Sequence, residues 1–211
     1  MRGIFCTMLM AVCFICNAQD DDMPDMRSKQ DNLMKMREKD LQSDISTFTM
    51  AGIDIATGKL PLRSLSISDF DENFIKFDSA NIHISITGAP FNPARHKLQY
   101  SDKYLIRIDT KPYFGSYSKV PKKYIKSFSV VIDNDTVAIP ATAFFDLYEP
   151  TFSYNEKGVR KSQDGVYFSA NGRFMYVYLL CNDGMGGYEV TWVFHDKKYI
   201  RRVVDFNVLK N

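Results

Sequence analysis

The chain has 211 residues, 45% of them hydrophobic and 14% aromatic, with 27 Lys and Arg against 25 Asp and Glu for a formal net charge of +2. That length suits one ordinary domain, and the composition excludes disorder, a collagen-like repeat or a coiled coil along the whole chain. Such a near balance of charge argues against a nucleic-acid binder, whose affinity comes mainly from neutralising phosphates.

Residues 1–18 read as a signal peptide. Met1-Arg2 is a short positive start, and Ile4 to Cys16 is apolar apart from Thr7. Cys16-Asn17-Ala18 then offers small residues for cleavage before Gln19. The apolar run is shorter than the ~20 residues needed to span a bilayer, and Asp20, Asp21 and Asp22 follow at once. The rival reading is a lipid anchor on Cys16, for which Ile15 is a poor preceding residue. Cleavage would remove Cys6, Cys13 and Cys16, leaving Cys181 as a single buried, inert thiol with no disulfide framework and no cysteine-based zinc site. Stability must then come from packing the remaining residues, enough for a sizeable core.

Residues 19–68 are expected to form an N-terminal helix and a connector. Asp22 or Asp25 can cap a helix with Pro24 in its first turn, and Met26, Leu33, Met34, Leu41 and Ile45 fall near one face. The spacing predicts one amphipathic helix over 25–43, packed on the domain in preference to binding a partner. Gly52, Gly58 and Pro61 mark 46–68 as the connector.

Residues 69–211 have a β-rich texture. Asn81 to Thr87 alternates strictly, with its isoleucines on one face, and Tyr104 to Ile108 is a second strand. Phe128 to Ile132 turns through Asp133-Asn134-Asp135 into Thr136 to Ile139, a hairpin. Pro140 opens a short helix that Pro150 closes. Asn171-Gly172 is a tight turn, and three strands come after it as an antiparallel meander: Arg173 to Cys181, Tyr188 to Phe194 and Tyr199 to Phe206. With Asp196-Lys197 as a two-residue turn, the register puts Trp192 opposite Arg201 as a cation–π pair and Glu189 diagonal to Arg202. The fold class is α+β, mainly antiparallel sheet, with an N-terminal amphipathic helix and a C-terminal three-stranded meander.

Local motifs for chemistry are few. Asn182 to Gly187 joins two strands and lacks the helix that a phosphate-cradling loop requires, so hairpin geometry explains its glycines better. Asp69-Phe70-Asp71-Glu72-Asn73 opens like a calcium loop but has Phe74 at the sixth position and Ala80 at the twelfth. His83, His96 and His195 lack metal-ligand spacing, and no G-x-S-x-G elbow occurs. Lys119, Lys122, Lys123 and Lys126 read as a solvated loop and a lysine-protected strand edge. Asn134-Asp135-Thr136 matches a glycosylation sequon that coincides with a hairpin turn. The binding candidates are Tyr188, Trp192, Arg201 and His195, with no metal or cofactor expected.

The segments Asn182 to Phe194 and Lys198 to Asp205, with Ile139-Pro140-Ala141 to Asp146-Leu147 before them, resemble a C-terminal meander of uncharacterised exported bacterial proteins. The resemblance covers about the last eighty residues and implies a periplasmic or extracellular setting. It brings no activity and no functional residue. The expected function is therefore a non-enzymatic binding or interaction protein of the cell envelope, of which an inhibitor or immunity-like protein is one version. Its partner would be another envelope or secreted protein, with no nucleic acid and no membrane span in the mature chain. The alternative is a small envelope hydrolase with a nonlocal site built on His195 or His83 and an acid.

Overall fold

The structure, a computed structural model, describes residues 32–181 and 186–206. Among the described residues a 3-10 turn (Leu33–Lys35) and one α-helix, α1 (Lys39–Ser46), precede the strands. In chain order these are β1 (Arg63–Leu65), β2 (Ile67–Phe70), β3 (Phe74–Asp78), β4 (Ile82–Pro90), β5 (Leu98–Ser101), β6 (Tyr104–Ile108) and β7 (Lys123–Ile132). They continue as β8 (Asp135–Thr136), β9 (Tyr154–Glu156), β10 (Val159–Lys161), β11 (Gly165–Phe168), β12 (Phe174–Cys181), β13 (Tyr188–His195) and β14 (Lys198–Phe206). The architecture is mostly antiparallel sheet with a helix near the N-terminal end of the described residues.

Two five-stranded sheets carry the fold, in the orders β1-β11-β12-β13-β14 and β2-β3-β4-β7-β8, and β5-β6 and β9-β10 form separate hairpins. Alternation dictates the inner faces. Ile84 and Ile86 of β4, Ile75 and Phe77 of β3, and Phe128 and Val130 of β7 meet Val177, Leu179, Val190, Trp192 and Phe194 in one core. Phe128 and Trp192 make the closest aromatic contact across it, with ring centroids 4.6 Å apart.

β12 and β13 read as nearly continuous apolar runs because both of their faces are covered. On the outer face Tyr176, Val193 and Val203 pack with Leu33, Met36, Leu41 and Ile45 of the N-terminal segment. Polar tethers fix that segment. The Glu189 carboxylate, 1% exposed, accepts hydrogen bonds from the Met50 and Ala51 N–H groups and the Tyr178 hydroxyl, each at 2.8 Å. Asp205 accepts from the Leu33 N–H at 3.1 Å, and the Tyr176 hydroxyl donates to Asp44 at 2.7 Å. Burial pushes Glu189 above its ordinary value against the pull of those N–H donors, and burial carries Asp205 to about 6. Asp164, buried where it accepts from the Leu180 N–H, is raised for the same reason.

Five sequence expectations are corrected. The helix within the described residues is Lys39–Ser46, shorter and later than 25–43, while residues 25–31 lie outside the described part. Leu33 and Ile45 are buried as expected, but Met34 is exposed and Met36 takes its place inside. The stretch 46–68 is more than a connector, since it supplies β1 and begins β2. After Pro140 the chain makes only a 3-10 turn, Ala141–Ala143. The meander register also differs. Asp196 and Lys197 do form the two-residue turn, both at positive φ, but a bulge at Ile200 shifts the pairs beyond it, so Trp192 faces Arg202 and Val193 faces Arg201.

Candidate functional site

The four binding candidates do not form a patch. Tyr188 and Trp192 are fully buried in the core. The Tyr188 hydroxyl donates to the Tyr148 carbonyl at 2.9 Å, and the Trp192 indole N–H donates to the Ala143 carbonyl at 2.8 Å. Both residues therefore anchor the loop 141–148 onto the C-terminal sheet. Arg201 lies on the opposite face with Val193, its guanidinium 3.4 Å from Glu38. His195 stacks on Phe174 at 4.4 Å beside Asp196. A large aromatic side chain on a strand buried on both sides is core material, which is why the binding reading of Tyr188 and Trp192 fails.

The loop that those two residues hold down is one wall of a groove of about 400 Å³. The other walls come from the end of β6 with the turn after it, and from β7. Asp109 and Thr110 both take positive φ and reverse the chain sharply after Ile108. The loop segment 146–148 is then wedged between two strands' worth of backbone. The Phe114 N–H donates to the Asp146 carbonyl at 2.8 Å, Tyr148 to Phe114 at 3.0 Å and Ile125 to Leu147 at 3.1 Å. Gly115 turns at φ +141 with the Tyr148 Cβ 3.3 Å from where its own Cβ would stand, so this crossing demands glycine.

Aromatic rings dominate the lining, with Tyr113, Tyr124, Phe144, Phe145 and Tyr148 beside Ile108 and Pro112. Tyr113 and Tyr148 meet edge to face at 5.4 Å. Tyr148 is 7% exposed, and among the described residues no protein group hydrogen-bonds its hydroxyl. Burial, reinforced by Asp109 and Asp146, pushes that phenol up to about 12, so it is a hydrogen-bond donor at neutral pH.

Charged groups lie both within the groove and at its rim. Asp146 is buried and grips Arg202 with two bonds, 2.5 and 2.7 Å, while the same guanidinium donates to the Ala143 carbonyl at 3.1 Å. The His96 imidazole stacks on Phe91 at 4.5 Å and places Nδ1 2.7 Å from Asp109, whose other oxygen accepts the Lys97 N–H at 2.8 Å. The imidazole first and that N–H second hold Asp109 below the usual carboxylate range. Lys111 and Lys126 are exposed at the rim, and the Lys111 ammonium sits 4.6 Å from the centre of the Phe145 ring.

The remaining sequence features resolve locally. Asp71 accepts the N–H groups of Asn73 and Phe74, so the calcium-like opening is a side-chain-capped turn. His83 pairs with Asp78 on an exposed strand surface. Of the glycine-rich loop, residues 182–185 lie outside the described part, while a Cβ on Gly186 would stand 2.4 Å from the Ser116 backbone. Cys181 is a buried thiol outside any disulfide. Among the described residues no group of three or more His, Cys, Asp or Glu is placed to hold a metal ion, and no helix is long and apolar enough to cross a membrane. His96, Asp109, Tyr124 and Tyr148 are the site residues that local pattern does not reveal, because they converge from segments far apart in sequence. Comparison with known proteins returns no matching family model, no matching curated protein and no matching solved structure.

Proposed function

We propose that this chain is an exported binding protein of the cell envelope whose ligand occupies the aromatic groove between β7 and the loops 109–113 and 141–148. The leader-like residues 1–18 and the resemblance of the last eighty residues to exported bacterial proteins support the location. The observation that carries the binding role is the groove itself: about 400 Å³ walled by five aromatic rings, with the nearly buried Tyr148 hydroxyl left open to a ligand. Apolar concavity with a small number of converging polar groups is the usual form of a small-molecule site.

A hydrolase is the second reading, favoured by one observation, the His96–Asp109 pair at 2.7 Å on the groove rim. The binder fits better because both partners stand open to water, with Asp109 half-exposed, where a charge pair does little for catalysis. The lining residues also include no serine, threonine or cysteine to serve as nucleophile.

One experiment tests the groove. The purified chain is incubated with a small-molecule extract of bacterial envelopes, desalted, and the retained compounds are weighed by mass spectrometry. Ala141→Trp, which fills the groove from an exposed position, serves as control. Retention by the wild type and loss in Ala141→Trp is expected, whereas equal retention by both would refute the site. Turnover of nitrophenyl esters that disappears in His96→Gln would transfer the assignment to the hydrolase.

A further inference from the structure

We infer that the groove takes a small amphipathic anion, an apolar aryl or alkyl body carrying one carboxylate head. This inference rests on the reading of the groove as a ligand site and assigns its chemistry. The body is set by the walls: Ile108, Pro112, Tyr113, Phe144 and Phe145 present hydrocarbon and ring faces.

The head is set by the ionic groups on the groove. Asp146 is neutralised by Arg202 through two hydrogen bonds. Asp109 is held by His96 and by the Lys97 N–H, with the Lys111 charge adding to both. Lys111 and Lys126 remain, and among the described residues neither makes an ion pair or hydrogen bond with a carboxylate. Both acids are thus answered from within the protein, with Lys111 lending part of its field to Asp109, while Lys126 faces no carboxylate of the groove. A ligand that brings one negative charge to the rim meets complementary charge, whereas an ammonium ligand would meet two lysines. Lys111 is also positioned, with its ammonium over the Phe145 ring, where an anionic head and an apolar body can be met by adjacent groups. The Tyr148 and Tyr124 phenols add neutral donors of the kind a carboxylate oxygen accepts.

The probes are 4-phenylbutyrate, the uncharged 4-phenylbutan-1-ol with the same body, and acetate with the head alone. Binding is read by calorimetry and by emission of Trp192, the only tryptophan, whose neighbour Phe128 also packs on Phe144 of the groove. The acid is expected to bind about five- to tenfold more tightly than the alcohol at low salt, with acetate not binding. Lys111→Gln combined with Lys126→Gln should erase the preference, and Lys111→Arg with Lys126→Arg should restore it. Both positions are exposed, so folding is unaffected. An alcohol that binds as well as the acid overturns the anionic head while leaving the groove a binding site. If neither binds at millimolar concentration the inference is overturned, and the extract experiment then decides separately whether the groove binds anything.

Discussion

Breaking the Asp146–Arg202 pair is the most direct test of how the groove is built. Arg202 is 12% exposed and Asp146 5%, so Asp146→Asn leaves a guanidinium in a largely dry site facing a neutral amide. Arg202→Met leaves the converse, a buried carboxylate without its guanidinium, and takes one of two donors from the Ala143 carbonyl. Removing one member of a buried ion pair costs about 3–5 kcal/mol, because the survivor keeps its desolvation penalty. For a domain of this size each kcal/mol lowers Tm by about 2–4 °C, so a fall of roughly 6–20 °C is expected for either single change. The double change Asp146→Leu with Arg202→Met removes both charges and should recover most of the loss. Urea unfolding followed by Trp192 emission measures all three, since the indole is bonded to the same loop. A single substitution costing under about 1 kcal/mol would refute the reasoning, as would a double variant worse than the sum of the singles.

Glu189→Gln puts an amide opposite the Met50 and Ala51 N–H groups and should cost about 2–3 kcal/mol, with protease sensitivity rising within residues 32–62 while the sheets persist. Unchanged proteolysis there would show that the tether does not hold the segment. Asp205 has its folded-state pKa raised to about 6 from 3.8, so its contribution is fully present below about pH 4 and is lost as pH rises through about 6. Asp205→Asn should therefore flatten the decline in unfolding free energy between those values, and an identical pH profile would contradict the assignment. Lys157 sits at φ +51 in the β9–β10 turn, so Lys157→Asn should stabilise by about 0.5 kcal/mol in the same urea assay, and destabilisation would argue against a left-handed residue there.

Strands were legible wherever the side-chain period met a half-exposed or fully covered sheet. Ile82, Ile84 and Ile86 advertise β4, and the apolar run of β12 advertises a strand without telling which face each residue meets. That ambiguity misplaced Tyr188 and Trp192, because coverage of both faces depends on the N-terminal segment reaching back over residues 176, 193 and 203. The Ile200 bulge carries no local mark, being an exposed residue in an otherwise regular strand, so the cross-strand partners of Trp192 shifted by one. The groove was illegible for a related reason. His96 and Asp109 lie thirteen positions apart, Asp146 and Arg202 fifty-six, and only the completed topology brings each pair together.

The covering segment on the outer face also constrains the order of events during biogenesis. Its docking surface is built from β12 to β14, and its tethers join residues separated by 132 to 172 positions. Synthesis delivers residues 33–51 long before their hydrogen-bond partners Tyr176, Glu189 and Asp205. Until β13 and β14 exist, Leu33, Met36, Leu41 and Ile45 have no partner and the apolar strands no lid, so loop closure over nearly the full chain must precede the final packing step. A polypeptide with this wiring stays open until its last strands are free. That property makes the C-terminal hairpin the part whose arrival locks the molecule shut.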